Sequence, residues 1–228
     1  RDTTIYSDVG AIILGEIVEK ISGLSLNVFA DSMIFKPLGM GTTFFNPPSN
    51  KMRRIVPTEF KPDGTIVHGY VHDENAYSLG GVAGHAGLFS TAKDLAVFSQ
   101  MMLNDGLYGW KRIFKTETVN EFTTKANVID GSSRLLGWDS PGGYASGGIY
   151  LSDNSFGHTG FTGTSMWIDP DQGIIVILLT NAVHPNRKNK SPKYYDWRQR
   201  IHSAVYESLS IINKNPNLKL RPRWEEGE

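Results

Sequence analysis

Between Phe156 and Asn181 the sequence spells out a β-hairpin, and no other stretch constrains the fold as tightly. Phe156-Gly157-His158-Thr159-Gly160-Phe161-Thr162-Gly163 leads into a predicted strand over Gly160 to Asp169, with an apolar segment from Met166 to Ile168. Pro170-Asp171-Gln172-Gly173 is a turn, and Ile174 to Asn181 follows as an apolar, partly β-branched run. Two such runs joined by a short turn predict an antiparallel pair. The long apolar run of the second predicts a central, buried strand. Glycine lets a backbone come close to a ligand, because no Cβ stands in the way. His158 and Thr159 add a titratable ring and a hydroxyl at the same edge. The octapeptide reads as the lip of an active site built along a sheet edge.

Helical signals come before the hairpin and after it. Ser7 or Asp8 can cap a helix in which Ile13, Leu14, Ile17, Val18 and Ile21 recur at helical spacing, with Ser22-Gly23 as the stop. A second helix is expected from Ser25 to Ile34. A third begins at Ser90-Thr91, where Asp94 stands three residues after Thr91 in a capping-box spacing, and ends at Asn104-Asp105-Gly106. A fourth covers Glu117 to Thr123, and a closing helix runs from Asp196 to Ile212. Further strands are expected at 65–67, 135–138 and 148–151. The glycine-rich stretch from Val71 to Ser90 predicts a compact loop of the kind that carries function. Helices first, strands next and a last helix predict an α+β fold, an antiparallel sheet flanked by helices. One domain is expected over 1–212, with a peripheral tail over 213–228.

Composition narrows the function classes. The 23 basic and 23 acidic side chains cancel, which argues against nucleic acid or an anionic membrane as the main partner. No apolar run approaches the ~20 residues of a membrane span. The absence of cysteine removes disulfides, zinc-thiolate sites and a cysteine nucleophile. The six His do not fall in a metal-ligand pattern, and no cofactor is implied. His72-Asp73 and His85 have no assigned role. The Trp residues at 110, 138, 167, 197 and 224 are scattered, so core packing is expected. Arg187 to Lys193 reads as a solvated loop. The opening, Arg1-Asp2-Thr3-Thr4, has neither an initiator Met nor a signal-peptide pattern, and reads like the middle of a domain.

Tyr6-Ser7-Asp8 before an apolar helix, the segment from Gly80 to Leu95 and His158-Thr159-Gly160 on a strand resemble, in that order, the serine β-lactamase-like hydrolases. That family includes class C β-lactamases, penicillin-binding D,D-peptidases and family VIII esterases. The resemblance covers Tyr6 to about Leu209. The phrases from Val71 to Ala76 and from Gly157 to Gly163 look closest to a bacterial subgroup, some of whose members are fused behind a family 3 glycosidase. The resemblance implies acyl transfer through a serine in a Ser-x-x-Lys motif, one helical turn bringing the lysine against the serine. It implies Tyr6 as base or proton relay and His158 as a polarising or proton-shuttling group. It implies substrate binding at Thr159 and Gly160, and at Asp8, where many relatives carry Asn. The N–H of Phe161 would be one half of the oxyanion hole. An extracytoplasmic, periplasmic location and a peptidoglycan-peptide or small-molecule substrate are implied as well.

The family's nucleophile precedes the tyrosine motif. Here the Ser-x-x-Lys pattern occurs only at Ser90-Thr91-Ala92-Lys93, in the wrong order, where a helix cap explains it. The serine is therefore expected on a missing N-terminal segment of the same polypeptide, together with the first sheet strands. Two functions stay open. One is a serine hydrolase opening an ester or amide: a D-amino-acid peptide of the cell wall, a small ester or a β-lactam. The other is a catalytically silent module binding cell wall or a partner through the same cleft.

Overall fold

The computed structural model describes residues 4–125, 129 and 131–223. The opening Arg1-Asp2-Thr3 and Trp224 lie outside the described residues. The first helix, α1 (Asp8–Ser22), starts where Ser7 accepts the N–H of Gly10 at 3.3 Å. It stops at Gly23, whose positive φ of 70° lets its N–H reach the Glu19 carbonyl. α2 (Leu26–Ala30) continues through a π-helical turn at Asp31–Phe35 into α3 (Lys36–Leu38). A two-residue strand, β1 (Phe44–Phe45), follows.

The glycine-rich loop has a structural use. It holds α4 (Glu74–Ser78) and ends at β2 (Leu88–Phe89), which pairs with β1. A Cβ on Gly84 would lie 2.1 Å from the Ala11 carbonyl oxygen, and Gly15, the one buried residue of α1, packs on the Gly84 backbone. α1 thus rests on this loop main chain to main chain. Its apolar stripe points elsewhere. Val9, Ile13, Leu14 and Ile17 are exposed, and Ile21 is 81 % exposed.

After α5 (Ala92–Leu103) come a small hairpin of β3 (Leu107–Tyr108) and β4 (Lys111–Arg112), then α6 (Thr116–Thr123). Thr91 caps α5 by accepting the Asp94 N–H at 3.3 Å. The Asp94 carboxylate turns to the Thr42 N–H at 2.7 Å and to the Thr42 and Thr43 hydroxyls at 2.8 and 2.9 Å.

The main sheet is antiparallel: β5 (Phe156–Thr159), β6 (Ser165–Asp169) and β7 (Ile174–Leu178), in that order. The hairpin is where the sequence placed it, but the central strand is β6. Among the described residues β7 has no neighbour beyond β6, and Val176 alone is buried in it. Residues 160–164, expected to begin the strand, form the β5–β6 turn. Alternation along β6 explains the layers. Met166 and Ile168 face α5, where Ser99 donates to the Met166 sulfur. Ser165, Trp167 and Asp169 face the last helix, α7 (Pro192–Ser208), through His202 and Tyr206. Gly157 must be glycine, because a Cβ there would lie 2.5 Å from the Trp167 ring. The buried Asp169 carboxylate closes the hairpin by accepting from Ser152, Gln172 and Tyr206.

Other expectations need correction. Residues 65–67 hold only an isolated bridge, Ile66 with Phe60; 135–138 is the turn between the bridged Arg134 and Asp139, and 148–151 is irregular. α7 starts and stops four residues earlier than expected, because Pro192 can occupy its first turn. Trp167 is core on the α7 face, and Trp138 packs against Phe98 and Phe156 on the α5 face. Trp110, at the tip of the β3–β4 hairpin, is fully exposed, and Trp197 is more than half exposed on the outer face of α7. Residues 218–221 run back along α7. Leu218 is buried there, and Gln199 binds the main chain of Lys219 and Arg221.

Candidate active site

The cap that starts α1 also places Tyr6 just outside the helix and Asp8 as its first residue. Tyr6 faces His158, the third residue of β5, with ring centres 6.2 Å apart and planes tilted by 32°. Arg134 joins the two. Its guanidinium carbon lies 5.1 Å from the centre of the Tyr6 ring, and its Nη1 donates to His158 Nε2 at 3.4 Å. The same Nη1 pairs with Asp139 at 2.7 Å. His158 Nε2 accepts, so the ring proton is assigned to Nδ1, which donates to the Thr159 carbonyl at 2.9 Å. Asp139 exchanges main-chain hydrogen bonds with Gly157 at 2.8 and 3.0 Å, which stitches the Arg134 turn to the edge of β5.

Nothing in the sequence announced Arg134. It stands in no motif, and the pattern of 135–138 beside it predicts a strand. A charged pair bracketing Leu-Leu-Gly-Trp was the available signal. The phenol of Tyr6 is held above its ordinary proton affinity, first by partial burial and then by the charge and hydrogen bonding of Asp8. Arg134 pulls it the other way. Asp8 therefore acts on Tyr6 electrostatically as well as standing beside it in sequence.

The β5–β6 turn supplies the second wall. Gly160 donates its N–H to Thr164 at 2.8 Å, and a Cβ there would lie 2.2 Å from the Thr164 hydroxyl. The Gly163 carbonyl accepts from the hydroxyls of Thr180 and Tyr194. Phe161 exposes its ring and offers its carbonyl to Lys190 Nζ at 2.6 Å. Its N–H, and the Thr159 hydroxyl, have no hydrogen-bond partner among the described residues. Tyr6, Asp8 and His158 therefore lie together. The Phe161 ring packs instead against His72, with centres 5.4 Å apart, and under the cations of Lys190 and Arg187.

The remaining histidines have structural partners. His72 contacts the Thr58 hydroxyl at 2.7 Å and Glu59 at 3.3 Å. Burial and then Arg187 push its pKa down. Glu59 is buried, which opposes ionisation, yet the N–H and guanidinium of Arg187 prevail and hold it below the usual carboxylate range. Asp73 caps α4 and binds His85 Nε2 at 2.8 Å. Ser90 pairs with the Thr43 hydroxyl at 2.7 Å while Lys93 is exposed. Among the described residues, no group of three or more His, Asp or Glu could hold a metal ion, and no helix is long and apolar enough to cross a membrane.

Known proteins resemble this chain over most of its length. It is 41 % identical over 198 residues to a protein of Escherichia coli strain K12 named "Putative D-alanyl-D-alanine carboxypeptidase". A Salmonella gallinarum protein of the same name is 40 % identical over 202 residues. The matches cover 79 % and 81 % of this chain but 45 % and 46 % of those relatives, so the chain spans about half their length. Among solved structures, a β-lactamase from Sulfitobacter sp. EE-36 aligns with a TM-score of 0.66 at 19 % identity, over 90 % of this chain and 59 % of that one. A β-lactamase from Mycobacterium bovis aligns with a TM-score of 0.61 at 23 % identity, over 90 % and 64 %. Both share the fold of mixed helix and sheet described above. The Beta-lactamase family model matches residues 2–200, which takes in α1, the Tyr6–His158 pair and the hairpin: the chain belongs to the Beta-lactamase family.

Proposed function

We propose that this chain is the substrate-binding and proton-transfer portion of a serine hydrolase, opening an ester or amide through an acyl-enzyme. The observation that carries the reading is the Tyr6–Arg134–His158 cluster, whose His158 stands on the strand that leads into the turn carrying the Phe161 N–H, unpaired among the described residues. In this scheme a serine supplied from outside these 228 residues attacks the carbonyl. Tyr6 passes its proton toward the leaving group, and His158 holds the relay in place with its proton on Nδ1. The oxyanion takes the Phe161 N–H, a donor already free of other acceptors. Thr159 and Gly160 line the strand against which the substrate lies, and Asp8 faces it from the start of α1. D-amino-acid peptides of the cell wall are the leading substrate class, in keeping with the names of the relatives, and this points to an extracytoplasmic site of action.

The raised pKa of Tyr6 sharpens the scheme. With Asp8 beside it the phenol stays protonated, so relay chemistry needs an added cation, the role of the lysine in Ser-x-x-Lys. The test is labelling of the longer polypeptide with a fluorescent penicillin or a fluorophosphonate. Covalent label with ester turnover supports the hydrolase, and a folded protein with neither leaves a silent binding module. Tyr6→Phe should lower turnover by about 10²–10⁴-fold with the fold intact. Wild-type rates in that variant would remove Tyr6 from the mechanism.

A further inference from the structure

Behind the Phe161–Gly163 turn lies a positive charge without a counter-ion among the described residues. Arg198, on the sheet-facing side of α7, is 8 % exposed. Its guanidinium lies 5.3 Å from the Tyr194 ring centre and 5.5 Å from that of Tyr195. Its Nε is buried without a hydrogen-bond partner, and it forms no ion pair among the described residues. The groups that feel its charge include two more bases, Lys190 and His202, and it depresses the proton affinity of both after their own burial has done so.

A buried cation is costly unless it is paired and hydrogen-bonded. Two aromatic faces offset part of that cost but offer no acceptor to the N–H fork. Asp196 on the same helix and the acids around Arg187 are committed elsewhere. Asp196 holds Arg200 at 2.6 Å, and Glu59 and Glu74 hold Arg187 at 2.7 and 2.8 Å. Lys190 completes the cluster from the turn side, 5.8 Å from the Tyr195 ring centre and bonded to the Phe161 carbonyl. Arginine is the side chain whose planar fork matches a carboxylate in two parallel bonds.

We propose that Arg198 and Lys190, walled by Tyr194 and Tyr195, form a carboxylate-binding site directly behind the oxyanion turn. The carboxylate has two possible sources, an acidic side chain from the longer polypeptide or a small-molecule anion. The site is independent of the serine-hydrolase reading, because its occupancy is read by binding alone.

The experiment is a titration of the 228-residue chain with acetate, following the Arg198 Nε–H resonance by NMR. The expected result is a downfield shift that saturates; in the variants, where binding is read from the ring resonances of Tyr194 and Tyr195, it should be weakened at least about tenfold in Arg198→Met. Arg198→Lys keeps the charge without the fork and should bind with intermediate strength. It also guards against a Met variant that fails to fold, and the Ser165–His202 resonances report folding in each case. The longer polypeptide then separates the sources. An Nε–H already shifted and insensitive to acetate assigns the anion to a side chain of that polypeptide. A shift that still requires acetate assigns it to a small molecule. An Arg198 Nε–H unmoved by excess acetate in the chain, and at the unbonded position in the longer protein, overturns the proposal.

Discussion

The α7 face of the hairpin and the outer face of α1 are built from similarly apolar residues and meet opposite fates. Under α7, Trp167, Leu151 and Tyr206 are almost wholly removed from water, and the polar groups among them are bonded: Trp167 to Ser146, Tyr206 to Asp169, Ser165 to His202. On α1, Val9, Ile13, Leu14, Ile17 and Ile21 form a stripe that no described residue covers. A stripe of that size on a surface marks an interface. The α7 face of the hairpin is thus covered within the described residues, whereas the α1 stripe is not. Tyr6 stands on the α1 side and His158 on the hairpin side, their ring centres 6.2 Å apart.

Mutations should break this contrast in order of size. Trp167→Ala in the hairpin layer should cost about 3–5 kcal/mol, a large share of the roughly 5–15 kcal/mol of an ordinary domain, as read by urea denaturation. The next effect depends on pH. Burial and then Arg198 push His202 down to about 4 from an ordinary 6.5. Between those values the unfolded chain binds a proton that the folded chain refuses, so stability falls as pH drops through the window, by up to about 3 kcal/mol. Thermal midpoints measured from pH 7 to 4 should fall accordingly, and His202→Gln should flatten the slope. A smaller, conditional effect belongs to α1. Leu14→Gln should leave the 228-residue chain within about 0.5 kcal/mol of its parent, yet cost about 2 kcal/mol in the longer polypeptide, if that segment buries the stripe. Equal effects in both proteins would erase the contrast.

How much was legible in the sequence follows the range of the interactions. The hairpin, the caps at Ser7 and Thr91 and the stop at Gly23 depend on neighbours in the chain, and the sequence places them. The identity of the central strand depends on what lies beside β7, and an apolar run says only that burial is wanted. Apolar spacing likewise revealed α1 but not that its seat is the Gly84 backbone. Thr91 and Asp94 matched the capping-box spacing, and the hydroxyl does cap the helix. The carboxylate, however, serves Thr42 and Thr43, some fifty residues away in sequence. At the candidate site, Tyr6, Asp8 and His158 came from a motif order, and the structure brings them together. Arg134 was invisible because its role rests on a turn docked to the edge of β5, a contact that no local pattern encodes.

The glycine seat of α1 has a consequence in time. Main chain resting on main chain offers few side-chain contacts to hold a helix down. Opening of α1 should therefore need far less free energy than opening of the hairpin. In deuterium exchange, amides of 12–22 should be replaced well before those of β6. Tyr6 rides on the helix that opens first, so the relay would be made and unmade by the breathing of a single turn of backbone while the strand opposite stays still. Full protection of α1 to the global limit would show that glycine can anchor as firmly as a packed side chain.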